Sequence, residues 1–255
     1  TKMVKINRQK TAKTNKKHII YGLHSVTAAL LNKKRDHQEL IISEKQRNFA
    51  KIYSQKVKKI TALDNRDFRQ RFGDENNTQG VVLLTSDFNK PSLDEFIKKE
   101  KNESKSVIVV LDQITDPQNI GSIMRSCSMF DCKGIIVAKD NSPELTSSLF
   151  KAASGAVEIV NYFRVINLKR TLSYLKKNDY WIYGFDSSNN TNSKLEFSKK
   201  SVLVFGSEGR GIRNLVKKEC DILLKINSKP NKEYHIDSLN VSNASAIALY
   251  EFFKM

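Results

Sequence analysis

An unbroken apolar run, Val107-Ile-Val-Val-Leu111, leads straight into Asp112-Gln-Ile-Thr-Asp-Pro-Gln-Asn-Ile-Gly-Ser-Ile-Met-Arg125. A short run of Val, Ile and Leu without alternation describes a strand covered on both faces, as in a parallel sheet. Pro117 and Gly121 punctuate the turn that follows. From Ile120 onward, Ile120, Ile123, Met124, Cys127 and Met129-Phe130 recur at roughly helical spacing. Strand, loop and helix in this order point to an α/β architecture, in which ligands bind at the carboxyl ends of the strands. Asn119 and Arg125 lie a little under two turns apart and face one mouth if Asn119 caps the helix. Taken singly, each has a plainer reading, as a cap and as a solvated arginine.

The chain around this stretch divides by composition. Residues 1–17 carry Lys2, Lys5, Arg8, Lys10, Lys13, Lys16 and Lys17 with no acidic residue, and read as a disordered basic tail suited to phosphate backbones. Residues 18–88 read as a small α/β unit. A short strand or turn is expected at 19–22, strands at 40–43 and 80–84, and helices at 25–31, 49–59 and 67–72. Its basic residues, among them Lys33, Lys34, Arg35, Lys45, Arg47, Arg66, Arg69 and Arg71, are compatible with gripping RNA. Residues 89–105 read as a connector: Asn89-Lys-Pro-Ser has turn chemistry, 93–97 suits a short helix, and 98–105 is a charge run.

The last unit, 106–255, alternates strand and helix. Strands are expected at 107–111, 134–138, 157–160, 165–166, 181–185, 202–205 and 222–226, and helices at 147–153, 167–177 and 244–253. That alternation predicts a mostly parallel sheet with helices on both faces.

Lys and Arg total 44 against 27 Asp and Glu, so the chain carries a net charge of +17 and a polyanion is the first partner to consider. The three cysteines, Cys127, Cys132 and Cys220, have neither disulfide-framework nor Cys-x-x-Cys spacing. A reducing compartment without a structural zinc is expected, and Cys127 reads as core. No apolar run approaches the roughly 18 residues of a membrane span. A cytoplasmic setting is expected, or an organellar matrix if the basic tail is a presequence.

Two further stretches carry polar residues where strands end. Phe205-Gly-Ser-Glu-Gly-Arg-Gly-Ile212 follows a strand directly. Its glycines reverse the order of the dinucleotide fingerprint, which argues against a nicotinamide cofactor. They still let a ligand approach the backbone closely. Glu208 in their midst reads either as a helix-capping carboxylate or as a site residue. In Ser238-Leu-Asn-Val-Ser-Asn243, four residues with capping side chains crowd one helix entrance that needs only one, leaving Ser238 or Asn240 for another task.

These three stretches, in this order, resemble the SpoU branch of the SPOUT family of RNA ribose 2′-O-methyltransferases. Ser154-Gly155-Ala156 adds to the likeness, and the front unit looks like the ribosomal-protein-L30-like RNA-binding domain often attached ahead of such enzymes. The resemblance implies a SPOUT α/β domain with a C-terminal trefoil knot, S-adenosylmethionine as methyl donor, no metal, RNA as substrate, and a homodimer with sites near its interface. By position it implies a functional set of Asn119, Arg125, Glu208, Ser238 and Asn240. It implies cofactor contacts at Gly184, Phe205, Gly206, Gly209, Ile226 and Leu239. The sequence departs from the family pattern after Ile226, where a longer polar link through 231–235 replaces Ile-Pro-Met and a short loop. In the front unit it has Asn77-Thr-Gln-Gly80 where the family has Asn-His-Gln-Gly.

The residue types suit the implied chemistry. Lining up a ribose oxygen behind a sulfonium methyl is a task of proximity and orientation. A guanidinium, with its pKa above about 12, is a poor base. Arg125 is therefore expected to bind a neighbouring phosphate and stabilise developing oxyanion charge, with Asn119 and Asn240 orienting and Glu208 and Ser238 fixing the loops. A 2′-hydroxyl makes RNA, not DNA, the substrate. The favoured target is a guanosine of large-subunit ribosomal RNA. The alternatives are a transfer-RNA guanosine and a catalytically silent RNA-binding or ribosome-assembly protein on the same fold.

Overall fold

The computed structural model describes residues 17–73, 75–186, 195–229, 233 and 238–255. The basic tail up to residue 16 and most of the 231–235 link lie outside that set.

The front unit holds β1 (Lys17–Tyr21), α1 (Leu23–Leu31), β2 (His37–Ser43), α2 (Arg47–Tyr53), β3 (Lys59–Leu63), α3 (Asn65–Phe72), α4 (Glu75–Thr78) and β4 (Val81–Ser86). Its four strands lie in the order β1-β4-β2-β3, with β3 parallel to β2 and the other pairs antiparallel. Two features depart from the sequence reading. The helix expected over 49–59 stops at Tyr53, a 3-10 turn follows at Ser54–Lys56, and the chain then enters β3, a strand that was not anticipated. β3 is an edge strand, and its Ile60 is 38% exposed, so it lacks the apolar run that marks a buried strand.

The second unit holds α5 (Leu93–Glu100), β5 (Ser106–Asp112), α6 (Pro117–Met129), β6 (Gly134–Ala138), α7 (Ser147–Ala153), β7 (Asn161–Val165), α8 (Leu168–Lys176), β8 (Trp181–Phe185), β9 (Lys200–Gly206), α9 (Asn214–Lys217), β10 (Ile222–Leu224) and α10 (Val241–Lys254). Its six strands lie in the order β10-β8-β9-β5-β6-β7, and every pair is parallel. All seven residues of the central strand β5 are buried. Alternation sends Val107, Val109 and Leu111 into the core under α6, α7 and α10, and Ile108 and Val110 into the core under α5 and α8. The unalternating apolar run is thus explained by helices on both faces.

Three expected boundaries shift. Residues 156–158 form a 3-10 turn rather than a strand, entered through Gly155 at φ +93°, and the strand follows at Asn161–Val165. Asp116, not Asn119, caps α6: its side chain accepts from the Gln118 backbone N–H, and Pro117 opens the helix. α10 starts at Val241 rather than 244, capped by Asn240.

The units share one continuous core. Glu158 accepts two hydrogen bonds from the Arg35 guanidinium, Nε at 2.8 Å and Nη2 at 2.9 Å, and one from Asn32 Nδ2 at 2.6 Å. Ser25 donates to the Phe150 carbonyl and Ser147 to that of Ile19. Within the stretch 89–105, α5 buries Phe96 and Ile97 against the second sheet. The knot implied by the resemblance concerns the chain between β10 and α10, of which 230–232 and 234–237 lie outside the described residues.

Candidate active site

β5 leads outward to β6 and β7 on one side, while β9 and β8 lie on its other side. The strand order therefore reverses between β5 and β9, and their carboxyl ends form the kind of crevice in which open α/β sheets bind ligands. Asp112 and Gly206, the last residues of these strands, sit side by side in the ladder.

All three polar stretches reach this edge. Asn240 Nδ2 donates to Asn119 Oδ1 at 3.1 Å and to Glu208 Oε1 at 2.7 Å. Its Oδ1 accepts from the Ser242 backbone N–H at 2.8 Å and from Ser242 Oγ at 2.6 Å. One asparagine thus caps α10 with its oxygen and gathers the other two stretches with its nitrogen. The surplus of capping residues in the sequence had suggested a division of labour, and Asn240 instead does both. Because Asp116 takes the cap of α6, the Asn119 side chain is left free on the first turn.

Arg125 is not part of this cluster. It lies six residues beyond Asn119 on α6, a displacement of about 9 Å along the axis and a third of a turn around it. Its side chain is exposed, and among the described residues it forms no ion pair. Ser238 is exposed at the start of the segment leading to α10.

The glycine loop is tightly folded. Gly211 N–H donates to the Ser207 carbonyl at 2.8 Å, and a Cβ on Gly206 would lie 2.0 Å from the Gly211 carbonyl carbon. Only glycine fits there. Glu208, Gly209 and Arg210 form the exposed tip, with Gly209 at φ +84°. Gly184 is buried in β8, where a Cβ would meet Cys220 Sγ at 2.7 Å, so its bareness serves strand packing. The Phe205 ring is buried and stacked on Phe185 at 4.7 Å, which leaves its backbone as the part that a ligand can reach. Ile226 packs partly against the core, and Leu239 is exposed beside Asn240. A bare-backbone loop flanked by an exposed apolar side chain is chemistry that suits an adenosine and a methionine.

Sequence reasoning gave no role to Asp112 and Arg213, which join two of the stretches. The Asp112 carboxylate is fully buried and accepts from the Arg213 backbone N–H at 2.9 Å and from Nε at 2.8 Å, with Nη2 in ion-pair contact at 2.7 Å. A charge ending an otherwise apolar strand was the available signal. The cysteines take no part: burial raises the Cys127 thiol well above its ordinary value and pushes Cys220 up to about 12. Among the described residues no cluster of His, Cys, Asp or Glu could hold a metal ion. No helix among them is long and apolar enough to cross a membrane.

This geometry can be set beside known proteins. The family model for SpoU rRNA methylases matches residues 106–250, more than half of the chain. The chain belongs to the SpoU family. A Staphylococcus aureus protein assigned to the TrmH family of tRNA/rRNA methyltransferases is 37% identical over 178 residues, covering 69% of this chain and 70% of that protein. Among solved structures, the SpoU methyltransferase AviRb from Streptomyces viridochromogenes, in complex with the cofactor AdoMet, superposes with a TM-score of 0.74 at 19% identity. That match covers 93% of this chain and 89% of the other. A Porphyromonas gingivalis protein assigned to the TrmH family of RNA methyltransferases gives a TM-score of 0.68 at 21% identity, covering 92% and 89%. This SpoU-family chain is accordingly an RNA methyltransferase.

Proposed function

We propose that this protein methylates a ribose 2′-oxygen, with a guanosine of large-subunit ribosomal RNA as its target. The observation that carries the reading is the side chain of Asn240 bonded at once to Asn119 and Glu208, which brings three distant stretches to one strand edge. S-adenosylmethionine, when bound, supplies a methyl group that is already electrophilic. What remains for the protein is to hold a ribose hydroxyl in line with it. Asn119 and Asn240 orient the ribose, Glu208 fixes the Asn240 amide so that its donors point one way, and Ser238 steadies the segment entering α10. Gly206, Gly209, Ile226 and Leu239 cradle the cofactor, with backbone contributions from Phe205 and Gly184.

Arg125 fits this scheme through a second copy of the chain. It shares a helical stripe with the exposed Met129, four residues on. Beside that stripe α10 exposes Ile247, Tyr250 and Phe253, and Phe130 packs against the last two rings. We propose that this apolar face closes a homodimer and that Arg125 works at its edge, holding an RNA phosphate and stabilising charge on the ribose oxygen. The domain plan is a basic tail at 1–17, an L30-like RNA-binding unit at 18–88, a connector at 89–105 whose helix α5 packs on the second sheet, and the knotted methyltransferase unit at 106–255. Transfer RNA is the second reading, supported by relatives whose description covers both RNAs.

The test is incubation with S-adenosylmethionine labelled in its methyl group, using large-subunit ribosomal RNA and transfer RNA as separate substrates. Label in alkali-resistant dinucleotides of the ribosomal RNA is expected. Label confined to transfer RNA would replace the substrate, and calorimetry showing no S-adenosylmethionine binding would leave the silent RNA-binding reading in its place.

A further inference from the structure

The loop that carries Glu208 is closed at its neck by the Gly211 N–H bond to the Ser207 carbonyl, and beyond it the tip is held by the Glu208 bond to Asn240. Its tip, Glu208-Gly-Arg210, is exposed, and Gly209 and Gly211 both take left-handed φ values, +84° and +65°. Glycines in such positions lose much conformational entropy when fixed, so a loop of this make-up is soft unless tied at both ends. One end is tied by the sheet: Gly206 is paired with Asp112 in the β5–β9 ladder. The other end is Arg213, just past the buried Ile212.

We infer that Asp112 and Arg213 form a positioning clamp that sets the glycine loop, and with it Glu208, for cofactor binding and methyl transfer. The same Asp112 whose backbone flanks Gly206 sends its carboxylate to Arg213, seven residues past Gly206, through two hydrogen bonds of 2.9 and 2.8 Å and an ion-pair contact of 2.7 Å. Loop entrance and exit are thereby fastened to one residue. The carboxylate is completely buried and has those donors as its partners, whereas the Arg213 side chain is 43% exposed. Between the fastened ends, Glu208 reaches Asn240 at 2.7 Å. If Arg213 lets go, Gly211 and Ile212 lose their anchor and the tip can leave Asn240. Neither residue needs to touch substrate: each acts through the loop.

This inference rests on the proposed cofactor site, and its test separates the two. S-adenosylmethionine binding to the full chain is measured by calorimetry for wild type, Asp112→Asn, Arg213→Gln, Arg213→Lys and the Asp112→Asn/Arg213→Gln double variant. Amide hydrogen exchange of residues 207–212 and of β5 and β9 is followed in parallel. Each of the two neutralising single variants is expected to weaken binding by on the order of tenfold, and the double variant by no more than the worse single. Arg213→Lys, which keeps the charge but loses the fork, should recover part of the loss. Exchange should quicken at 207–212 and stay unchanged in β5 and β9. Wild-type affinity in both neutralising variants overturns the clamp, as does faster exchange spread evenly over β5 and β9, which marks general destabilisation. If wild type itself binds no S-adenosylmethionine, the site reading fails instead. The clamp then stands or falls on whether Arg213→Gln speeds exchange at 207–212 alone.

Discussion

Two ion pairs, each with a buried carboxylate, tie distant parts of the chain together, and they are built differently. Arg35 and Glu158 join the front unit to the methyltransferase unit, with side chains 0% and 6% exposed. Phe88 and Phe150 cover the guanidinium at 4.7 and 5.4 Å, and its remaining fork donates to the Ser86 carbonyl. Asp112 and Arg213 fasten the glycine loop, but there only the carboxylate is sealed, and the Arg213 side chain is 43% exposed. A sealed pair has no water to fall back on when it opens, so it behaves as a fixed joint. A pair with one wet partner opens at lower cost, because solvent replaces part of what is lost. The molecule is thus stiff where its two units meet and adjustable at the glycine loop proposed to hold the cofactor.

Removing one partner from each pair gives the largest effect and the most direct way to break this contrast. Glu158→Ala strands a cation with no exposed surface, and unfolding in urea should show a loss of about 3–5 kcal/mol. Arg213→Ala leaves the Asp112 carboxylate beside a vacated, water-accessible site, and a loss of about 1–3 kcal/mol is expected. Equal losses in the two variants would mean that the exposure of Arg213 does nothing for the loop.

A smaller effect tests how dry the join is. Lys90 donates to the Val157 carbonyl at 2.9 Å and lies 5.1 Å from the Phe88 ring. Burial pushes its pKa down from the ordinary 10.5 to about 8, with the Glu158 carboxylate opposing and Arg35 adding to the shift. Between those two values the unfolded chain keeps a proton that the folded chain has lost, so this group makes stability rise with pH. Below about 8 both states hold the proton and the full cost of burying the cation is present; above 10.5 neither does. Lys90→Met should lack that rise. Urea midpoints at intervals from pH 7 to pH 10.5 should show the variant ahead at low pH, by about 3 kcal/mol at most, with the gap closing as pH increases. A gap independent of pH would mean that water reaches Lys90 and that the join is not sealed.

Both pairs also mark where reading the sequence ran out. The parallel sheet was legible because burial on two faces leaves an unbroken apolar run, and β5 is that run. The three polar stretches were legible from punctuation: a strand end and turn residues at 112–125, glycines after a strand at 205–212, and crowded capping residues at 238–243. Ion pairs between residues 101 and 123 positions apart leave no periodic trace, so Asp112, Arg213, Arg35 and Glu158 gave no sign of their partners. β3 was missed for a related reason: an edge strand with half its surface in water looks locally like the end of a lysine-rich helix. The start of α6 was misplaced because Asp116 and Asn119 are both good caps, and only the folded chain shows that Asn119 is used elsewhere.

The smallest expected change in stability belongs to the site itself, where Asn240 combines two tasks that can be separated. Asn240→Asp keeps the oxygen that accepts from the Ser242 backbone, and Asp and Asn are near-equal as caps, so stability should move by no more than about 0.5 kcal/mol. The other half of the side chain changes sign. Where the amide nitrogen donates to Asn119 and Glu208, a carboxylate oxygen now faces two acceptors, one of them charged. The cluster must open although the helix stays capped. Methyl transfer by Asn240→Asp should fall on the order of a hundredfold, the scale for losing an oriented donor in an active site. Asn240→Ala, by contrast, should also lose about 1 kcal/mol of stability with its cap. Near-normal turnover by Asn240→Asp would show that the bonds to Asn119 and Glu208 are incidental. The adjustable edge would then owe its geometry to Asp112 and Arg213 alone.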